Sequence, residues 1–135
     1  MSTAAVSPES KVEILLYSDD VTTRQAIIEA IGDTVPGGSV PLAWQEVATP
    51  DGFRKEFKED RFAALILDGE AGKEGGMSLA KELATLTDKI PPIVMLTVRQ
   101  QDSWLARWSG AQEILEAPFE ARAVEAALAR VLKAS

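Results

Sequence analysis

At 135 residues, 46% hydrophobic and 26% charged, the chain has the size and composition of one ordinary globular domain rather than of a disordered segment. A net charge of -7, from 14 basic and 21 acidic residues, argues against a nucleic-acid or anionic-membrane surface. With no cysteine there is no disulfide or thiolate site, and with no histidine zinc hydrolases and serine–histidine triads are excluded, so any metal here is a hard cation bound by oxygen.

The start, MSTAAVSPES, has neither the basic opening nor the apolar core of a signal peptide, and no run of about 18 apolar residues occurs. A cytosolic protein is expected, without membrane insertion. Residues 1–10 are small and polar and read as a loose tail; residues 11–135 read as a single domain with no output domain attached.

VEILLY, from Val12 to Tyr17, is a short apolar run of the kind that forms a strand buried on both faces. After the turn SDDVTT, apolar Ala26, Ile27, Ala30 and Ile31 predict a helix from Arg24 to Ile31, closed by Gly32. The turn-rich DTVPGGSVP leads to a second strand over Leu42–Ala48 and a helix over about Asp51–Asp60, with Phe53 and Phe57 on one face. In that stretch KEFKEDR reads as a solvated helix face. FAALILD is a third strand, ending at Asp68.

A loop with Gly69, Gly72, Gly75 and Gly76 follows, without the spacing or basic residue of a Walker loop, and is expected to turn tightly. MSLAKELATL predicts a helix with Leu79, Leu83 and Leu86 along one side. PPIVMLT is a fourth strand with its prolines confined to the entry. A helix through DSWLARW to Gly110, a short strand over Glu113–Leu115 and a last helix over about Glu120–Lys133 complete the chain. Such alternation predicts an α/β fold with a doubly wound parallel sheet and right-handed crossovers.

In sheets of this kind ligands sit outside the carboxyl ends of the strands. The polar residues expected there are Asp19 and Asp20, Asp68, and Thr97. An aspartate after a strand also favours a turn, and Asp20 could equally cap the first helix.

These residues, in this order, resemble the receiver domain of two-component response regulators, the CheY-like family, over about Lys11–Lys133. SDDVTTR resembles the acidic cluster after strand one, with Ser18 at its first acidic position. Asp68, Gly76, Thr97, the Gly110–Ala111 pair, Pro118 and Phe119 also match, while Ala117 stands where the family has lysine. The resemblance implies a five-stranded flavodoxin-like (βα)5 sheet of order 2-1-3-4-5. It implies Asp68 as phosphoacceptor and Thr97 as a hydrogen-bond donor to the phosphoryl group. Mg²⁺ would be held weakly by Asp19, Asp68 and the main-chain carbonyl of Glu70, with Asp20 either beside the metal or a helix cap.

Set against the family pattern, Ser18 and Ala117 imply a loss of charge at that site, Ile114 stands at the aromatic switch position, and Val98, where the family has a small residue, is expected to narrow access to Asp68. The expectation is therefore a stand-alone, atypical receiver, monomeric or homodimeric and not an enzyme, with impaired or absent Asp68 phosphorylation and a protein partner. Trp104 and Trp108, four apart, are either core or partner surface. The alternatives are a genuine Mg²⁺-dependent phosphoacceptor and, from another class, a small flavodoxin-like binder of nucleotide or flavin.

Overall fold

A computed structural model describes residues 11–69, 75–97, 107 and 109–134. Its elements run β1 (Val12–Tyr17), α1 (Val21–Ile31), β2 (Leu42–Val47), α2 (Pro50–Glu56), β3 (Ala64–Asp68), α3 (Gly76–Leu86), β4 (Ile93–Thr97), β5 (Glu113–Glu116) and α4 (Ala121–Ala134). The strands form one sheet of order β2-β1-β3-β4-β5, every neighbouring pair parallel, as the sequence predicts.

Alternation along the central strands builds two cores. Leu15, Tyr17, Leu65, Leu67 and Met95 point to one face and pack with Phe53, Leu79 and Leu83 of α2 and α3. Ile14, Leu16, Ile66, Val94 and Leu96 point to the other, against Ile27 of α1 and Val124 and Leu128 of α4. Because β3 and β4 are buried along their whole length, they appear in the sequence as unbroken apolar runs. Each such aliphatic side chain contributes roughly 1.5–3 kcal/mol on full burial. On the first face Phe53 meets Tyr17 edge-on, ring centroids 6.1 Å apart, and stacks on Phe57 at 6.0 Å.

Several boundaries differ from the sequence expectation, each for a local reason. Helix α1 starts three residues early, at Val21 rather than Arg24, because the Asp20 carboxylate accepts the Thr22 N–H at 2.9 Å and so caps a first turn that has no apolar residue facing the core. Strand β2 stops at Val47, one residue early, and Thr49 then caps α2 by accepting from Gly52 N. Helix α2 ends at Glu56, where Phe57 turns extended (φ -65°, ψ 129°).

KEFKEDR is thus not one helix face. Beyond α2, Arg61 folds back to Glu13 Oε1 at 2.9 Å and Glu56 Oε1 at 3.5 Å, with its guanidinium over the Phe62 ring. Leu86, expected with Leu79 and Leu83, is the last residue of α3 and is 70% exposed. Of the helix predicted through DSWLARW to Gly110, only Arg107, Ser109 and Gly110 are described; Trp104 and Trp108, like Val98, lie outside the described residues.

Candidate functional site

Parallel pairing brings the carboxyl ends of β1, β3 and β4 to one rim, which places Ser18, Asp68 and Thr97 beside one another in the sheet order. All three are buried: Ser18 and Thr97 completely, Asp68 with 8% of its surface exposed. The Ser18 hydroxyl donates to Asp68 Oδ2 at 2.7 Å, the short distance of a charge-assisted bond to a carboxylate. Ser18 Oγ in turn accepts the Asp20 N–H at 3.1 Å. One lone pair of Oγ is used by a backbone donor, and its proton is directed at Asp68.

Ser18 is held from behind as well. Its N–H donates to Val47 O at 3.2 Å, and its carbonyl accepts Arg24 Nη1 at 2.6 Å. Sequence reasoning treated Ser18 only as a lost charge. The signal that could have found its role is chemical: a hydroxyl in register with a buried carboxylate on the neighbouring strand is a donor to it.

The two aspartates after Ser18 diverge. Asp20 caps α1, its carboxylate accepting from Thr22 N and from Thr23 Oγ1. Asp19 is exposed and opens on a cavity of about 590 Å³ on the β2 side, walled by Tyr17, Thr49, Pro50, Asp51 and Arg54. Thr97 directs its hydroxyl at Leu115 O, a long bond of 3.4 Å, and its carbonyl accepts Ala117 N at 2.9 Å. Ala117, where the family carries lysine, is exposed; its peptide bond to Pro118 is cis. Ile114 is half-buried and packs against the first core. Glu70 and Val98 lie outside the described residues.

The glycines around Asp68 serve close approach rather than a left-handed backbone, since none of Gly69, Gly75 and Gly76 has a positive φ. A Cβ on Gly76 would sit 2.7 Å from Leu67 Cβ and 3.1 Å from Asp68 O, so glycine lets α3 start directly against the end of β3. Gly69 and Gly75 meet in the same way. Gly72 lies outside the described residues.

For a hard divalent cation the donor chemistry is suitable but sparse. Asp68 and Asp19 are the carboxylates available at the strand ends; Asp19 opens on the cavity, which leaves room for the water shell that Mg²⁺ keeps, while Asp68 is not among the residues that wall it. Among the described residues no group of three or more acidic, histidine or cysteine side chains gathers that could hold a metal. Ser18 places a neutral hydroxyl at the position for which the resemblance implies a carboxylate. The residues therefore fit a weakly held ion.

No family model matches the chain. It is 38% identical over 109 residues to a response regulatory protein of Mycobacterium tuberculosis, a match covering 81% of this chain and 82% of that protein, with the same values for the proteins of two strains. Among solved structures it resembles the chemotaxis protein CheY4 of Vibrio cholerae (TM-score 0.75, 22% identity, 90% of this chain and 99% of that one). It also resembles the receiver domain of NtrX from Brucella abortus (TM-score 0.74, 20% identity, 90% and 99%). The chain belongs to the response regulators and is a CheY-like receiver domain. No helix among the described residues is long and apolar enough to cross a membrane.

Proposed function

We propose that this receiver is a cytoplasmic regulatory module that acts by binding a protein partner and in which phosphorylation of Asp68 is impaired. The observation that carries this reading is the buried bond from Ser18 Oγ to Asp68 Oδ2. The attacking group of the expected chemistry is a carboxylate oxygen, and here one of the two already accepts a hydrogen bond from a hydroxyl. Ala117 adds to the effect: a lysine would place a cation beside the phosphoryl oxygens, and losing a hydrogen bond to a charged group costs about 1.5–3 kcal/mol. That weakens the modified state by roughly one to two orders of magnitude.

When bound, Mg²⁺ would neutralise charge on the phosphoryl oxygens. Asp19 and Asp68 are the side chains that would hold it. Thr97, whose hydroxyl makes only a 3.4 Å bond, is the donor free enough to turn toward a phosphoryl group. The match over 82% of the mycobacterial protein indicates that this relative, too, consists largely of a receiver, which supports a single-domain role.

Intact-mass measurement after incubation with acetyl phosphate and Mg²⁺ tests the reading. The parent is expected to gain little or no phosphoryl mass, and the Ser18→Asp, Ala117→Lys double variant to gain it. Stoichiometric addition to the parent, absent in Asp68→Asn, overturns the proposal.

A further inference from the structure

Beyond its missing charge, the residue at position 18 has a hydrogen-bonding geometry of its own, whose consequence for metal binding rests on the reading of Asp68 as the centre of the receiver site. Ser18 is completely buried, and both ends of its residue are fixed: N–H to Val47 O, carbonyl to the Arg24 guanidinium. Its hydroxyl accepts from Asp20 N and donates to Asp68 Oδ2. The serine cannot swing away without breaking one of these bonds, and no solvent reaches it to compensate. Arg24 is itself fixed, its Nε 2.9 Å from Glu46 Oε1 with 14% of its side chain exposed.

We infer that Ser18 is a positioning residue that stands in for the cation: its O–H satisfies the Asp68 oxygen that a divalent metal would otherwise engage, so that hydroxyl and metal compete for the same carboxylate. The resting receiver is then ordered without metal, and a hard divalent cation that engages Oδ2 does so in competition with the serine proton donor. This differs from a site that merely lacks a ligand. There, removing the hydroxyl leaves cation affinity unchanged or lowers it, because one more oxygen is gone. Here, removing it raises affinity, because the competitor is gone.

Mn²⁺ binding, followed by isothermal titration calorimetry and by the loss of the free-ion electron paramagnetic resonance signal, separates the two. The full chain, Ser18→Ala, Ser18→Asp and Asp68→Asn are compared, with circular dichroism as the folding control. Ser18→Ala is expected to bind Mn²⁺ about three- to tenfold more tightly than the parent, the scale of one hydrogen bond to a charged group set against re-entry of water. Ser18→Asp, which adds a carboxylate, binds more tightly still, and Asp68→Asn loses binding. Should Ser18→Ala not fold, Ser18→Cys, of similar shape but a weak donor, takes its place with the same expected direction. Equal or weaker binding by the folded variant overturns the inference. Phosphorylation does not enter this readout: a parent that accepts phosphoryl groups would sink the functional proposal and leave the competition standing, whereas equal or weaker Mn²⁺ binding by folded Ser18→Ala sinks the competition and leaves the functional proposal standing.

Discussion

The guanidinium of Arg24 joins Glu46 on edge strand β2 to the end of β1, with Nε 2.9 Å from Glu46 Oε1 and Nη1 2.6 Å from the Ser18 carbonyl. The two halves of this contact differ in worth. Glu46 is 43% exposed, so the ion pair contributes on the order of 0.5 kcal/mol. The bond to the carbonyl, which lies beneath a buried residue, belongs in the range of about 1.5–3 kcal/mol. Arg24→Ala is therefore expected to lower unfolding stability by about 2 kcal/mol and Glu46→Ala by about 0.5 kcal/mol, read from urea denaturation midpoints. Equal losses would assign the arginine to the ion pair instead.

Two glycine substitutions separate crowding from backbone strain. In Gly76→Ala the new methyl meets Leu67 Cβ at 2.7 Å and the backbone of Asp68, so α3 must move off β3. A cost of about 2–3 kcal/mol is expected. Gly37 has open space around its Cβ position but a φ of +78°, and Gly37→Ala should cost about 1 kcal/mol from strain alone. Thermal unfolding of the two variants gives the comparison, and only Gly76→Ala should also alter Mn²⁺ binding.

Asp20→Ala removes the side chain that caps α1. The expected result is a loss of about 1 kcal/mol in stability with cation affinity unchanged. A drop in Mn²⁺ affinity, with stability intact, would move Asp20 from the helix to the metal.

Glu82 couples α3 to α2 through Arg54, with Arg54 Nε and Nη2 each 2.8 Å from one of its oxygens. Hydrogen bonding from Arg54 lowers the Glu82 carboxyl below its ordinary value; desolvation opposes the shift, and the charge of Arg54 assists it. A carboxyl lowered in the folded state adds stability above its unfolded value and loses it as pH falls through the folded one. Glu82 is 31% exposed and Arg54 38%, so the pair is worth only about 0.5 kcal/mol. Glu82→Gln should lose this amount at neutral pH and match the parent well below about pH 4, the ordinary carboxylate range. Urea melts at the two pH values check it.

The central strands were legible because burial on both faces leaves no polar residue in β3 or β4 until Asp68 and Thr97. The rim those two residues share followed from the alternation of strands and helices, which predicts a parallel sheet; the strand order came from the family resemblance. Periodicity was blind where side chains rather than apolar spacing set the structure. It misplaced the start of α1, although residue type had already offered Asp20 as a cap, and it could not see that Phe57 leaves the helix while still stacking on Phe53. Leu86 fitted the stripe of α3 and yet faces solvent, since a helical pattern says which side a residue is on and not whether anything lies opposite. The bond between Ser18 and Asp68 joins residues 50 apart in the chain, a pairing that only the register of β1 against β3 brings about.

Gly75 approaches Gly69 so closely that a Cβ on Gly75 would lie 2.5 Å from the Gly69 carbonyl oxygen. Gly69 and Gly75, which flank residues 70–74, are thus pinched together at a neck that admits only hydrogen at Gly75. A segment of different length or composition spliced between these glycines would inherit the same closed base.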